Sequence, residues 1–172
     1  KNWNDRINQT SYHPNAVAGN FEHISFSMSE GLMRWLELNA RDTYDLIVQA
    51  DKKTAERIAP AGNALASAHN HVILPLSRKR DKRTQIRWGI AAFEHHFRRK
   101  PLGFWLPEMA VDTETLQFLV EAGIDYTLLT SKQLTGLPTN GGAGPYRVVL
   151  PGGKSIIVFA RNDELSIDIS FK

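Results

Sequence analysis

The sequence of 172 residues contains no cysteine. This absence excludes disulfides, zinc–thiolate sites and cysteine nucleophiles. Long hydrophobic runs are absent as well: none approaches the roughly 18 residues that a transmembrane helix needs, and none has the pattern of a signal peptide. We therefore expect no membrane partner, and the default location for such a chain is cytoplasmic.

The composition is that of a soluble globular protein, with 42% apolar and 23% charged residues. The length suffices for one domain with a substantial core and is too short for two large ones. The chain begins at Lys1 rather than at a methionine, and it ends inside the amphipathic stretch SIDISFK. These features predict that residues 1–172 form a single domain that is an internal piece of a longer protein.

The net charge of +3 is distributed unevenly. Nine of the 21 basic residues lie between Arg78 and Lys100, where only Asp81 and Glu94 are acidic. A basic segment of this kind can bind nucleic acid. Because no aromatic residue interrupts its densest part, SRKRDKR, we interpret this basic segment (residues 78–100) as the solvated face of a helix and expect no nucleic-acid partner.

Strand and helix patterns alternate along the chain. Strand patterns cover residues 21–28, 63–76, 103–107, 124–130, 148–149 and 156–159, and helical spacing covers 31–38, 42–58, 86–97, 112–122 and the residues from 164 onward. Ser29, Asp42 and Asp112 are suitable N-caps. Alternation at this spacing indicates βα units and a mainly parallel sheet. A complete α/β barrel has about 250 residues, so the sequence predicts part of one.

The stretch GFWLPE places one carboxylate, Glu108, directly after a buried strand. Reactive side chains of α/β barrels lie on the loops that follow the strands. Pro107 fixes its own φ and restricts Leu106, so the chain is stiff where it reaches the carboxylate. Trp105 offers a flat face that can stack on a sugar ring. From the residues alone, a helix-capping or ion-paired glutamate is an equally good interpretation.

Four blocks of the sequence resemble glycoside hydrolase family 57. The block GFWLPEMAVDTETLQFLVEAGIDYTLL resembles the family's segment around the catalytic nucleophile, and GNALASAHNHVILPLSRKRDKRTQIRWGIAAFEHHF resembles the segment before it. The blocks WNDRINQTSYHPN and NFEHISFSMSEGLMRWLE are similar to segments further upstream. The resemblance covers nearly the whole chain, and the blocks occur in the family's order.

This resemblance implies a partial (β/α)7 barrel with mainly parallel strands. It also implies a retaining mechanism on an α-glucan oligosaccharide or polysaccharide, of the α-amylase or 4-α-glucanotransferase type, with no metal and no cofactor. On this basis Glu108 is the nucleophile, His71 and Trp105 contact the sugar, and His69 is a further substrate-binding candidate. Arg98 and Leu102 depart from the family, which often has glycine and glutamate there.

Two blocks of the family are not found in the sequence. An early His-Gln-Pro block is expected before Lys1, and an aspartate acid/base is expected beyond Lys172. Retention uses two carboxyl groups about 5–5.5 Å apart. Asp112, Asp163 and Glu164 are unconvincing as the second carboxyl. We therefore expect the parent protein to be an enzyme and this chain alone to be inactive.

Two other functions stay open at this point. One is a metal-dependent hydrolase of the deacetylase type, because His69 and His71 would face the same side if they lie on a strand. No aspartate pair precedes them to complete such a site. The other is a carbohydrate-binding or regulatory barrel without activity, which the missing second carboxylate would also fit.

The remaining aromatic and histidine residues have simpler interpretations. His95 and His96 lie on the helix of the basic segment and are expected at its surface. Trp35 and Trp88 lie in helical patterns and are expected in the core. Trp3 lies in an aperiodic segment at the start of the chain.

Overall fold

The computed structural model describes residues 3–58, 60–136 and 144–171. Its strands form one sheet of six in the order β1-β2-β3-β4-β6-β5. The strands are β1 (Phe26–Ser27), β2 (Ala64–Ser67), β3 (Gly103–Trp105), β4 (Tyr126–Thr130), β5 (Gly144–Val149) and β6 (Ser155–Arg161). All neighbours pair in parallel except β5 and β6, which form an antiparallel hairpin. This sheet confirms the predicted α/β class with mainly parallel strands.

Helices connect β1 to β2, β2 to β3 and β3 to β4, and further helices precede β1 and follow β6. They are α1 (Trp3–Ile7), α2 (His13–Val17), α3 (Glu30–Asn39), α4 (Arg41–Arg57), α5 (Lys79–Phe97), α6 (Thr113–Glu121) and α7 (Asp163–Phe171). Within the described ranges, no helix has the length and apolar character that crossing a membrane requires.

The core lies between this sheet and the helices α3 to α6. Phe104, Leu106, Leu119 and Val158 have no exposed surface. Full burial of such side chains contributes roughly 1.5–3 kcal/mol each before the entropy of ordering is subtracted. Strands β2 and β3 accordingly read as short apolar runs, as is usual where helices cover a parallel sheet.

One glycine sets the distance between α5 and the sheet. A Cβ atom at Gly89 would collide with the carbonyl oxygen of Ser67, the last residue of β2. The helix therefore passes directly over the strand end. A second tie lies between strands, where the Thr127 hydroxyl donates to the Phe104 carbonyl at 2.7 Å.

Two of the three predicted caps are confirmed. The side chain of Ser29 accepts from the Leu32 amide at 3.4 Å, and that of Asp112 accepts from the Thr115 amide at 2.7 Å. Asp42 is not a cap: Ala40 precedes the first residue of α4, and Asp42 lies in the first turn. There its carboxylate is 3.6 Å from Nδ1 of His13.

The predicted strand at residues 21–28 is mostly wrong. Only Phe26–Ser27 pairs with β2, and the segment before it forms a 3-10 turn, Asn20–Glu22. Glu22 accepts from Lys53 of α4 at 2.6 Å, which fixes the turn against that helix. Ile24 is consequently half exposed instead of facing the core.

The opening segment is helical, although it shows no period. Helices α1 and α2 flank a π-helical turn, Asn8–Tyr12, which shifts the register between them. Within these three helical elements only Ala16 is buried, so no apolar stripe marks the opening segment in the sequence. Trp3 is exposed, Trp35 packs partly buried against the core, and Trp88 is more than half exposed, contrary to the prediction.

The stretch TGLPTNGGAGPY (residues 135–146), whose glycine, proline and asparagine content predicts a loop, falls largely on residues 137–143, which lie outside the described ranges. Residues 144–146 belong to β5.

The basic segment is not a uniformly solvated face. Lys82 is 2% exposed, and its ammonium group lies 2.8 Å from the Asp112 carboxylate and 3.2 Å from that of Glu114. Both acids belong to the start of α6. A buried ammonium group needs such partners, because an unpaired buried charge is strongly destabilising.

A second cation of the basic segment also faces α6. Arg83 lies 3.1 Å from the Glu121 carboxylate, and its guanidinium group stacks 4.2 Å from the centre of the Phe118 ring. The side chain of Arg80, also on α5, is exposed as predicted. Part of the charge therefore serves to dock α6 onto α5, which no sequence period reveals.

The Lys82–Asp112 pair predicts a pH dependence of stability. Burial raises the pKa of Asp112, but hydrogen bonds from Lys82 and Thr115 outweigh it, so the pKa is lowered overall. A lowered folded pKa gives stability that is present above the unfolded value of about 3.9 and is lost as pH falls through the folded value. Asp112→Asn keeps a capping side chain and removes the charge. We expect it to cost about 1–2 kcal/mol at pH 7, a value discounted because Asp112 is 39% exposed.

The measurement is urea unfolding of both proteins between pH 2 and pH 7. The difference in unfolding free energy should narrow below about pH 4. Glu56→Gln, at an exposed pair with Lys52, is the control and should show little difference at any pH. A constant cost for Asp112→Asn across the range would contradict the charge-based account.

Candidate active site

The turn after β3 has an unusual backbone. Residues Pro107–Met109 form a 3-10 turn in which Glu108 has φ 55° and ψ 15°, and Met109 has φ 53°. Two consecutive residues with side chains therefore occupy the left-handed region, where a Cβ atom is unfavourable. Strained residues of this kind concentrate at functional sites.

Buried neighbours and hydrogen bonds hold the turn in this conformation. Leu106 and Met109 are buried on either side of Glu108, whose own side chain is 68% exposed. The Met109 amide donates to the Leu106 carbonyl at 2.8 Å, and the Ala110 amide donates to that of Pro107 at 3.1 Å. The left-handed residues thus anchor both ends in the core and direct the carboxylate outward.

His71 is the polar partner of this carboxylate. Its Nε2 atom lies 3.0 Å from Oε1 of Glu108, so an Nε2–H group donates to the carboxylate. His71 belongs to the loop after β2, and Gln85 of α5 fixes that loop by accepting from the His69 amide at 3.1 Å and the Asn70 amide at 2.8 Å. Neighbouring parallel strands therefore bring together two predicted site residues, His71 and Glu108.

An open cavity of about 360 Å³ lies beside this pair. Its lining includes Ser27, Ser67, His71, Trp105 and Leu128, from β1 to β4. The Ser67 hydroxyl donates to the Trp105 carbonyl at 3.0 Å, which ties the two strand ends at the cavity floor. Glu108 stands next to this cavity through its bond with His71. The space is wide enough for a sugar unit, and Trp105 offers it a partly exposed aromatic ring.

His69 lies on a different side of the loop. Its ring packs edge-to-face against Trp88 of α5, with centroids 5.6 Å apart, and it does not line the cavity. Its Nδ1 atom is buried and has no hydrogen-bond partner among the described residues. The expectation that His69 and His71 share one face is wrong because β2 ends at Ser67, before both histidines. A sugar contact through His69 is not favoured by this placement.

Two other carboxylates at the strand ends have structural partners. Asp163, after β6, accepts from Arg161 at 2.8 Å and from the Ser131 hydroxyl at 3.2 Å. The hydrogen bond from Arg161 is the main reason that the pKa of Asp163 is lowered. The pKa of Asp112 is lowered as well. A general acid must carry a proton at the working pH, which a lowered pKa opposes.

A possible metal-ligand group lies elsewhere in the described part of the chain. The ligand atoms of Glu37, His95 and His96 lie within 4.8 Å of one another, on α3 and α5. His96 is buried, whereas the sequence predicts it at the helix surface. Its two ring nitrogens bond to the Tyr44 hydroxyl at 3.0 Å and the Glu30 carboxylate at 2.9 Å, which satisfies the buried ring. No comparable group among the described residues includes His69, His71 or Glu108.

Gln133 is a site residue that sequence reasoning missed. It follows β4, and its side chain donates to the Met109 carbonyl at 2.8 Å. A signal for its local role was present, because Thr130 and Gln133 have the spacing of a capping box. Its contact with the turn after β3 depends on strand pairing and has no sequence signature.

Comparison with known proteins adds to this geometry. The model of the family described as glycosyl hydrolase family 57 matches residues 2–172. The chain is similar to the 1,4-alpha-glucan branching enzyme of Thermococcus kodakarensis, with 32% identity over 129 residues, covering 58% of this chain and 19% of that enzyme.

Two solved structures share the fold. The 4-alpha-glucanotransferase from Thermococcus litoralis has a TM-score of 0.79 and 24% identity, with 98% of this chain and 26% of that chain covered. The exo-type maltose-forming amylase from Pyrococcus sp. ST04 has a TM-score of 0.80 and 20% identity, with 99% and 28% covered. These likenesses confirm the predicted partial (β/α)7 barrel. The chain spans less than a third of each of these three relatives.

The positive φ angles of Glu108 and Arg98 predict that glycine at either position makes the folded protein more stable. Glycine at Glu108 or at Arg98, which has φ 55° at the end of α5, removes the clash of a Cβ atom. This clash costs about 1–2 kcal/mol, and the added freedom of the unfolded chain returns about half of it. We expect Glu108→Gly and Arg98→Gly each to stabilise the protein by up to about 1 kcal/mol, or about 2–4 °C in Tm.

Thermal unfolding checks this expectation. Ala110→Gly is the control, since Ala110 has φ −72° and glycine there should only destabilise. If Glu108→Gly lowers Tm as much as Ala110→Gly does, the turn stores no strain.

Proposed function

We propose that this chain, which belongs to glycosyl hydrolase family 57, carries the nucleophile of a retaining glycoside hydrolase or transglycosylase. The proposed nucleophile is Glu108, and the proposed substrate is an α-glucan. The observation that carries this proposal is the strained turn that presents Glu108, with its carboxylate bonded to His71 beside a cavity lined by Trp105. The named relatives, a branching enzyme, a glucanotransferase and a maltose-forming amylase, support an α-glucan as the substrate.

The geometry suits a nucleophile in three respects. The carboxylate lies at the carboxyl end of a central strand, where rigid neighbours fix it. Donation from His71 holds Oε1 and leaves Oε2 available to attack the anomeric carbon of a bound sugar. Trp105 can stack on that sugar and keep its ring in register.

The reaction then proceeds in two displacements. Oε2 of Glu108 bonds to the anomeric carbon while the bond to the leaving oxygen breaks, through an oxocarbenium-like transition state. The leaving oxygen takes a proton from an acid. Water or a sugar hydroxyl next attacks the glycosyl ester, loses its proton to the conjugate base of that acid, and releases Glu108.

The acid/base is proposed to come from outside residues 1–172. Asp112 and Asp163 have lowered pKa values, and each holds a structural partner. Neither is suited to donate a proton to the leaving oxygen. We infer that this chain alone binds sugar without turning it over and that the second carboxylate completes the site in a longer protein.

Replacement of Glu108 tests the proposal in the full-length protein. Glu108→Gln keeps the shape and removes charge and nucleophilicity, so we expect kcat on maltooligosaccharides to fall by several orders of magnitude, with sugar binding little changed. Glu108→Gly should be partly rescued by azide, which attacks the anomeric carbon from the vacated side and gives a glycosyl azide of inverted configuration. Product anomers are followed by NMR.

Glu114→Gln is the matched control, because Glu114 pairs with Lys79 and Lys82 away from the cavity. It should keep near-normal turnover. Normal turnover by Glu108→Gln would make Glu108 a structural residue. Sugar binding without turnover in the unmodified full-length protein would favour the carbohydrate-binding alternative.

Chelation separates this proposal from the metal-dependent hydrolase. Neither His69 nor His71 has the partners of a ligand set among the residues described, so activity on α-glucans should survive EDTA. The measurement is turnover before and after dialysis against EDTA, with a known zinc hydrolase treated in parallel. Loss of activity that zinc restores, and that His71→Ala abolishes, would support the metal-dependent mechanism instead.

A further inference from the structure

Gln133 joins the ends of two neighbouring strands. It lies in the turn Ser131–Gln133 after β4, and its side-chain oxygen accepts from the Thr130 amide at 3.0 Å. Its side-chain nitrogen donates to the Met109 carbonyl at 2.8 Å. One amide group is thereby fixed at both ends, with its acceptor on its own strand and its donor on the turn that carries Glu108.

The Met109 carbonyl is a sensitive point of the turn. Glu108 and Met109 both have positive φ, so the turn is held away from the ordinary backbone minimum. Relaxation of either residue would rotate the Met109 carbonyl and the Glu108 side chain together. A hydrogen bond to that carbonyl stabilises the strained form by an amount comparable with the strain of one left-handed residue.

Gln133 is itself well fixed. The Thr130 side chain accepts from the Gln133 amide and completes a reciprocal capping box. Strand β4 pairs with β3 on one side and with five residues of β6 on the other. Ser131 also donates to Asp163 at 3.2 Å, which ties the turn to the end of β6. The Gln133 side chain, which supports the turn that carries Glu108, is therefore itself fixed at the end of a strand inside the sheet.

We propose that Gln133 is a positioning residue that holds Glu108 in its attacking geometry through the Met109 carbonyl. The inference rests on the proposed role of Glu108. A displacement of about 1 Å at a reacting group can cost about 100-fold in rate. Loss of the hydrogen bond should therefore act on the chemical step and leave substrate binding nearly intact.

Gln133→Glu separates the two contacts of the side chain. A carboxylate can still accept from the Thr130 amide, but it cannot donate to the Met109 carbonyl and would repel it. Thr130→Val is the matched control, because it removes the Thr130 half of the capping box and leaves both side-chain contacts of Gln133. Gln133→Met, which keeps the volume and removes both contacts, is a second variant in case the new charge disturbs the turn.

In the full-length protein, kcat should fall by about 10-fold to 100-fold in Gln133→Glu and Gln133→Met, with KM within about twofold of the unmodified value. Labelling of Glu108 by 5-fluoro-α-glucosyl fluoride should slow in parallel; here the bond to fluoride breaks and an ester to Glu108 forms. Thr130→Val should keep kcat within about threefold, even if its Tm falls as far as the Tm of the Gln133 variants. Unchanged kcat in both Gln133 variants, or equal losses in all three, would overturn the inference.

The results distinguish failure of the positioning role of Gln133 from failure of the proposed function. If Glu108→Gln is active, or the fluoride labels another residue, the nucleophile assignment fails first. If Glu108→Gln is inactive and both Gln133 variants turn over normally, only the positioning role of Gln133 fails.

Discussion

The parallel pairing of β2, β3 and β4 is the constraint on which the site depends. Parallel strands end at the same edge, and here the register places Ser67 opposite Trp105, so the loops after the two strands leave the sheet side by side. His71 and Glu108, which are 37 positions apart in sequence, meet there at 3.0 Å. The packing that fixes this edge is remote from the chemistry: Gly89 lets α5 approach the end of β2, and buried Phe104 anchors β3.

The same packing supports the strain at Glu108. A left-handed turn with two side-chain-bearing residues persists only where its surroundings favour it by more than its cost. Leu106 and Met109 are buried on either side, and rotation of the turn would withdraw one of them from the core. Loss of a buried side chain of that size costs about 1.5–3 kcal/mol, which is comparable with the strain of the two left-handed residues at about 1–2 kcal/mol each. The core and the hydrogen bonds of the turn therefore determine the direction of the carboxylate together.

Local signals explain what the sequence predicted well. Apolar runs marked β2 and β3, the period of 3.6 identified α5, Asp112 was a recognisable cap, and the position after an apolar run marked Glu108. The missed features depend on partners distant in the chain. Burial of Lys82 requires the acids of α6, and burial of His96 requires Tyr44 and Glu30. The different surroundings of His69 and His71 follow from the point at which β2 ends, which an apolar run does not reveal.

The carboxylates at or near the C-terminal ends of the strands have different roles, because their charged partners differ. Asp112 caps α6 and neutralises a buried lysine, and Asp163 joins Arg161 to the turn after β4. Both tasks need the ionised form and lower the pKa, which makes these groups stable anchors and poor proton donors. Glu108 differs, because its side chain is 68% exposed and its carboxylate bonds to a histidine beside a cavity. A carboxylate that is held by its backbone, and not by a permanent cation, keeps an oxygen free to form a bond.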